Sequence, residues 1–138
     1  MPVVSVRKSI GSRGNHHVLD ITSQVADAVA RAGIESGVAT VFVTGSTAGV
    51  TTVEFEPGLV EDLRAAFDRL IPRDLEYRHH ERWGDDNGHS HVRASLLGPS
   101  LAVPFNGGRL ELGTWQQIVL IDFDTRPRNR EYLIQIVG

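Results

Sequence analysis

The sequence predicts an α+β fold, built of mainly antiparallel, β-sandwich-like sheets with two helices. Two observations carry this. Apolar residues recur at helical spacing in two stretches within the first 70 residues, whereas β-branched or alternating runs dominate the second half. No linker, internal repeat or low-complexity tract divides the 138 residues, which suit one domain, 1–138. A chain of this length buries roughly two thirds of its unfolded surface.

The elements follow in order. Val3, Val4 and Val6 open a strand that runs into a GSRG turn, and His16–Asp20 form a second. Ile21, Val25, Val29 and Ala32 make one helical stripe, capped by Thr22 or Ser23 and stopped by Gly33. VATVFVT (38–44) is a buried strand by its β-branched content, and VTTVEFE (50–56) is another. Pro57 starts a second helix, whose apolar stripe is Leu59, Leu63, Ala66, Phe67 and Leu70, and Pro72 ends it. About twenty irregular residues follow. A β-meander then takes the remainder: strands at 91–97 and 100–105, an Asn-Gly-Gly turn at 106–108, Leu110–Leu112, WQQIVLIDFD and EYLIQIV.

Composition narrows the function. A net charge of −3 gives no general attraction to nucleic acid or anionic membrane. The absence of cysteine excludes disulfides, thiolate ligands and cysteine nucleophiles. MPVVSVRKSI is too short and too quickly charged for a signal peptide, and no apolar run is long enough to span a membrane, so a cytoplasmic protein is expected.

The irregular segment is where chemistry concentrates. YRHHERWGDDNGHSH, residues 77–91, holds four of the six histidines, three acids and an asparagine. Twenty structureless residues are uncommon in a compact domain unless they function. With His89 and His91 entering a strand, both imidazoles face one side and converge on one ion. His79 or His80 closes the set. Three protein ligands and an open position describe a catalytic zinc site, and Asp85, Asp86 and Asn87 are placed to orient the imidazoles. The plain alternative is a solvated, histidine-rich loop, just as a doublet such as His16–His17 is often exposed.

YRHHERWGDDNGHSHVRASLLGPS, VPFNGGRLELGTWQQIVLIDFD and the closing RPRNREYLIQIVG resemble the YjbQ-type family across essentially the whole chain. Its members are commonly described as secondary thiamine-phosphate synthases and otherwise as proteins of uncertain function. The most specific stretch is residues 100–118, S-L-x-V-P-x-x-x-G-x-L-x-L-G-T-W-Q-Q-I, and FVTGSTAGVTTVEFEPGLVEDL also fits. Many members carry H-T-T-A where this chain has Gly45-Ser46-Thr47-Ala48. The resemblance implies a sandwich-like α+β fold, a homotrimer, and a histidine-lined pocket near subunit contacts that binds a divalent metal. It favours His79 over His80, matches His91 firmly and His89 less so, and covers Glu54, Asn87 and Gln116.

These residues take the following expected roles. His79, His89 and His91 hold the ion, zinc by ligand chemistry with magnesium as the alternative. Glu54 is the general base, and Gln116 contacts a substrate carbonyl. Trp115 beside it is expected to fill core. Asn87 lies next to the ligands, and Arg128 and Arg130 bind phosphate bidentately, or else are solvated turn arginines. The GSTAG segment is a weak candidate for cradling an anion on backbone N–H groups. The resemblance thus implies joining a pyrimidine diphosphate to a thiazole phosphate. Diphosphate departure ordinarily uses magnesium on oxygen ligands, so with imidazole ligands that activity is expected to be slow and secondary. The rival readings are a zinc-dependent hydrolase of a small substrate and a non-enzymatic metal- or metabolite-binding module.

Overall fold

In the computed structural model, which describes residues 1–138, the apolar run from Ile118 to Phe123 is buried on both sides. That run is most of β7 (Gln117–Asp122) and determines the layering. Ile118 and Leu120 point into a larger core; Val119, Ile121 and Phe123 point into a smaller one. A strand covered on both faces reads as continuous rather than alternating hydrophobicity.

β7 is the centre of a three-stranded sheet, between β2 (His17–Asp20) and β4 (Ala48–Val53). A five-stranded sheet faces it, in the order β1 (Val3–Ser12), β8 (Arg128–Val137), β3 (Gly37–Val43), β5 (Ser100–Asn106) and β6 (Arg109–Leu110). All pairings are antiparallel. The larger core fills the space between the sheets, with Val25 and Val29 of α1 (Thr22–Arg31) added to Val41, Ile134, Val50 and Leu120. On the other face of the small sheet, Val60, Leu63 and Phe67 of α2 (Pro57–Leu70) and Ala94 and Leu97 of α4 (Gly88–Leu97) cover the smaller core. No helix is long and apolar enough to cross a membrane.

The α+β class and the antiparallel, sandwich-like sheets are as expected, but there are four helices rather than two. The irregular stretch contains α3 (Arg78–Trp83) and leads into α4, where a strand at 91–97 was expected. Its burial pattern explains the difference: buried His89, Ser90, Arg93 and Ala94, and partly buried Leu97, recur at helical spacing. Val92 is the only β-branched residue there, and Arg, Ala and Leu favour helix. The meander is also incomplete. Asn106-Gly107-Gly108 does turn β5 into β6, with positive φ at both glycines as a type I′ turn requires. β7 then leaves for the other sheet, and β8 returns between β1 and β3.

Smaller corrections have local causes. The second helix is capped by Glu56, whose carboxylate accepts the N–H groups of Gly58 and Leu59 at 2.8 Å, so β4 stops at Val53. Those two N–H groups also hold the Glu56 carboxyl below its ordinary pKa. Leu70, at the end of the expected stripe, is 79% exposed. The first helix has no side-chain cap; the Thr22 hydroxyl instead donates to Asp20 at 2.6 Å.

Candidate active site

At the Asp122 end of β7 the chain places acids and arginines on one face. Asp122 and Asp124 flank Phe123 at strand spacing, and Arg128 and Arg130 have the same spacing on β8. Asp122 accepts Arg130 Nη2 at 2.7 Å and Nε at 2.9 Å, with both residues buried. The Thr47 hydroxyl accepts from Arg130 Nη2 and donates to Asp124 Oδ2 at 2.9 Å. Arg128 Nε reaches the same Asp124 oxygen at 2.9 Å. Burial alone would raise the Asp124 carboxyl, yet the Thr47 hydroxyl, Arg128 and the Thr125 N–H hold it below the ordinary carboxylate range.

Above this floor lies a cavity of about 320 Å³, with rim residues contributed by α3, α4 and the loop between them. His79 from α3 and His91 from α4 face each other with ring centroids 4.3 Å apart. Asp85 Oδ1 lies 3.4 Å from His79 Nδ1, a buried atom that makes no hydrogen bond. Burial, then the neighbouring His79, lowers the His91 pKa and favours the neutral ring that binds metals. Asn87 is buried beside them with Oδ1 unpartnered.

The structure therefore brings together His79, His91, Asn87, Arg128 and Arg130, with Asp85 and Gly45–Thr47, and leaves out His89, Glu54 and Gln116. His89 is separated because α4 is helical: positions two apart on a helix point about 200° from one another. His89 instead packs inward beside Tyr77, with Nε2 3.3 Å from Ser90 Oγ. Burial and then Arg93 push its pKa down to about 4. His80, the alternative to His79, faces away and accepts the Asp86 N–H at 3.1 Å.

Glu54 and Gln116 are at the other end of the β4–β7 ladder. Ala48 pairs with Asp122 beside the cavity, and Val53 pairs with Gln117 at the far end, roughly 17 Å away at strand rise. Gln116 is exposed and spans Gly113 N–H and Thr52 Oγ1, at 3.0 and 3.1 Å. Trp115 is 73% exposed rather than core. Arg130 is buried rather than a solvated turn residue, and His16, expected at the surface, is only 2% exposed between Phe67 and Phe123.

A family model described as UPF0047 protein YjbQ-like matches residues 7–138. The chain belongs to the YjbQ-like UPF0047 family. It is 37% identical over 121 residues to a UPF0047 protein of Methanothermobacter thermautotrophicus, covering 88% of this chain and 82% of that one. A Mycobacterium tuberculosis UPF0047 protein is 40% identical over 104 residues, covering 75% and 77%. A solved YjbQ-like protein of unknown function from Sulfolobus solfataricus superposes with a TM-score of 0.88 at 31% identity, covering 99% of each chain. A Clostridium acetobutylicum YjbQ/UPF0047 structure gives 0.87 at 33% identity, covering 96% of this chain and 99% of that one.

Asp122 and Asp124 are functional candidates that the sequence reading misses. The signal was present, since D-F-D closing an apolar strand puts two carboxylates on one side. A larger open depression of about 1160 Å³ lies against α3. Of the clustered histidines only His80 reaches it, and it intermixes acids with arginines. Size alone does not mark the chemistry.

Proposed function

We propose that this protein is a metal-dependent enzyme acting on a small substrate, with a divalent ion, zinc by ligand chemistry, held by His79 and His91. The single observation supporting this is the facing imidazole pair, one nitrogen of which is buried, unpartnered and turned to Asp85. Two neutral imidazoles and a carboxylate suit zinc better than magnesium. Asp85 takes the third position that His89 was expected to fill. No three such side chains are gathered at coordinating distance, so Asp85 would have to move inward to complete the set. A bound ion supplies Lewis acidity and charge neutralisation here. The residues around it do the rest: Asn87 orients the substrate, Arg128 meets its negative charge, and Asp124, the cavity's other carboxylate, accepts a proton.

Thiamine-phosphate synthesis is retained as a secondary activity, slower than the ordinary range of about 1–10³ per second. Imidazole ligands equally favour zinc-dependent hydrolysis, with a carboxylate of the cavity as base. Glu54 and Gln116 reach this cavity only from a neighbouring subunit, and a homotrimer supplies such neighbours. Light scattering should then give about three times the 15.1 kDa subunit mass.

Elemental analysis of untagged protein tests the metal. About one zinc per subunit is expected in wild type and Glu54→Gln, and none in a folded His91→Ala variant. Full zinc in His91→Ala sinks the reading. Product formation from the two phosphorylated precursors, compared across the same proteins, tests the synthase activity; a fast wild-type rate overturns its secondary status.

A further inference from the structure

Arg130 is clamped on one edge only. Its Nε and Nη2 are engaged by Asp122 and Thr47, but Nη1 has no hydrogen-bond partner. Gly45 explains why this nitrogen is open. A Cβ at position 45 would stand 2.9 Å from Nη1, and Gly45 has φ +143, which L side chains rarely adopt. The neighbouring backbone is also unsatisfied. The N–H groups of Gly45, Ser46 and Thr47 donate to no group of the chain, although Thr47 is buried and all three residues line the cavity. A buried N–H in a native protein is nearly always paired, so that of Thr47 marks a place where something else accepts, and the exposed Gly45 and Ser46 N–H groups belong to the lining of the same cavity.

We propose that Gly45, by having no side chain, opens a phosphate subsite formed by Arg130 Nη1, the N–H groups of Gly45–Thr47 and the guanidinium of Arg128. This deepens the reading of the same cavity and names the substrate class, an organic phosphate monoester or the terminal phosphate of a diphosphate. Arg130 Nη1, the three N–H groups and Arg128 make at least five donors on one cavity lining, more than the roughly four lone-pair sites of a carboxylate and suited to the three free oxygens of a phosphoryl group. Asp122 pre-orders the Arg130 fork, so no flexible side chain has to be immobilised on binding. The histidine pair lines the same cavity, so a phosphate bound there would share it with the proposed ion.

The test is amide NMR and calorimetry with three probes: inorganic phosphate, phenyl phosphate and benzoate. Both phosphates should shift the Gly45, Ser46 and Thr47 amides, with phenyl phosphate at least as tight, while benzoate leaves them unmoved. Gly45→Ala should weaken phosphate binding at least tenfold and Arg128→Gln severalfold; the second variant serves if the first does not fold. The subsite is overturned if those amides do not shift, if benzoate moves them as much, or if neither folded variant loses affinity. Binding of free phosphate alone overturns the ester assignment. Zinc is measured on the same samples: zinc retained without phosphate binding overturns the subsite alone, and phosphate binding without zinc overturns the metal reading alone.

Discussion

The two ends of the β4–β7 ladder differ in kind. At the Ala48–Asp122 end, buried charges interlock and little solvent reaches them; at the Val53–Gln117 end, Glu54, Gln116 and Trp115 stand in solvent. The first end is dry enough for an unpaired group to be costly and for a charge to act strongly on its neighbour. The second has neither property within one subunit. Residues that stand out in a motif are therefore not always the ones placed to do chemistry.

The sharpest way to break this comparison is Asp122→Ala. It leaves Arg130 buried without its partner, so a loss of about 3–5 kcal/mol is expected in urea unfolding. A loss below ~1 kcal/mol would mean the cavity floor is not the interlocked unit described here.

Acid should weaken the region behind that floor next. Burial, then Arg64, pushes the His16 pKa down to about 4 from 6.5, with Arg93 also lowering it and Asp68 opposing. The unfolded chain then binds the extra proton below pH 6.5, and the folded chain does not until about pH 4. Stability from this residue is complete above pH 6.5, falls through that window by about 2–3 kcal/mol, and levels off below it. His16 has φ 66, so His16→Asn keeps a side chain of a kind that this backbone tolerates. Unfolding curves from pH 7 to 4 should lose this part of their slope in that variant; an unchanged slope removes His16 as the cause.

Thr47→Val is expected to cost about 1–3 kcal/mol, because it strips a buried hydroxyl from both Arg130 and Asp124 at nearly constant shape. Gln116→Ala at the opposite end should cost only about 0.5–1 kcal/mol, since water replaces its two contacts. Equal losses for the pair, measured by thermal unfolding, would erase the distinction between the ends.

Local periodicity was enough for β1, β3, the α2 start at Pro57 and the Asn-Gly-Gly hairpin, because each is a short-range steric or patterning effect. Histidine content, not periodicity, marked residues 77–91, and the family resemblance preferred His79 to His80; the structure places His79, His91 and Asn87 on one cavity. Periodicity failed at 91–97, where alternation suggested a strand and packing against the small sheet selected a helix. That single change of period turned His89 away from His91 and brought in Asp85. The Asp122–Arg130 pair was beyond sequence reasoning for a different reason. Eight residues separate its members along the chain, but they lie on strands of different sheets. Which strand pairs with which, and so which charges meet, follows from the burial of β7 on both faces; that is settled only when the whole chain is packed.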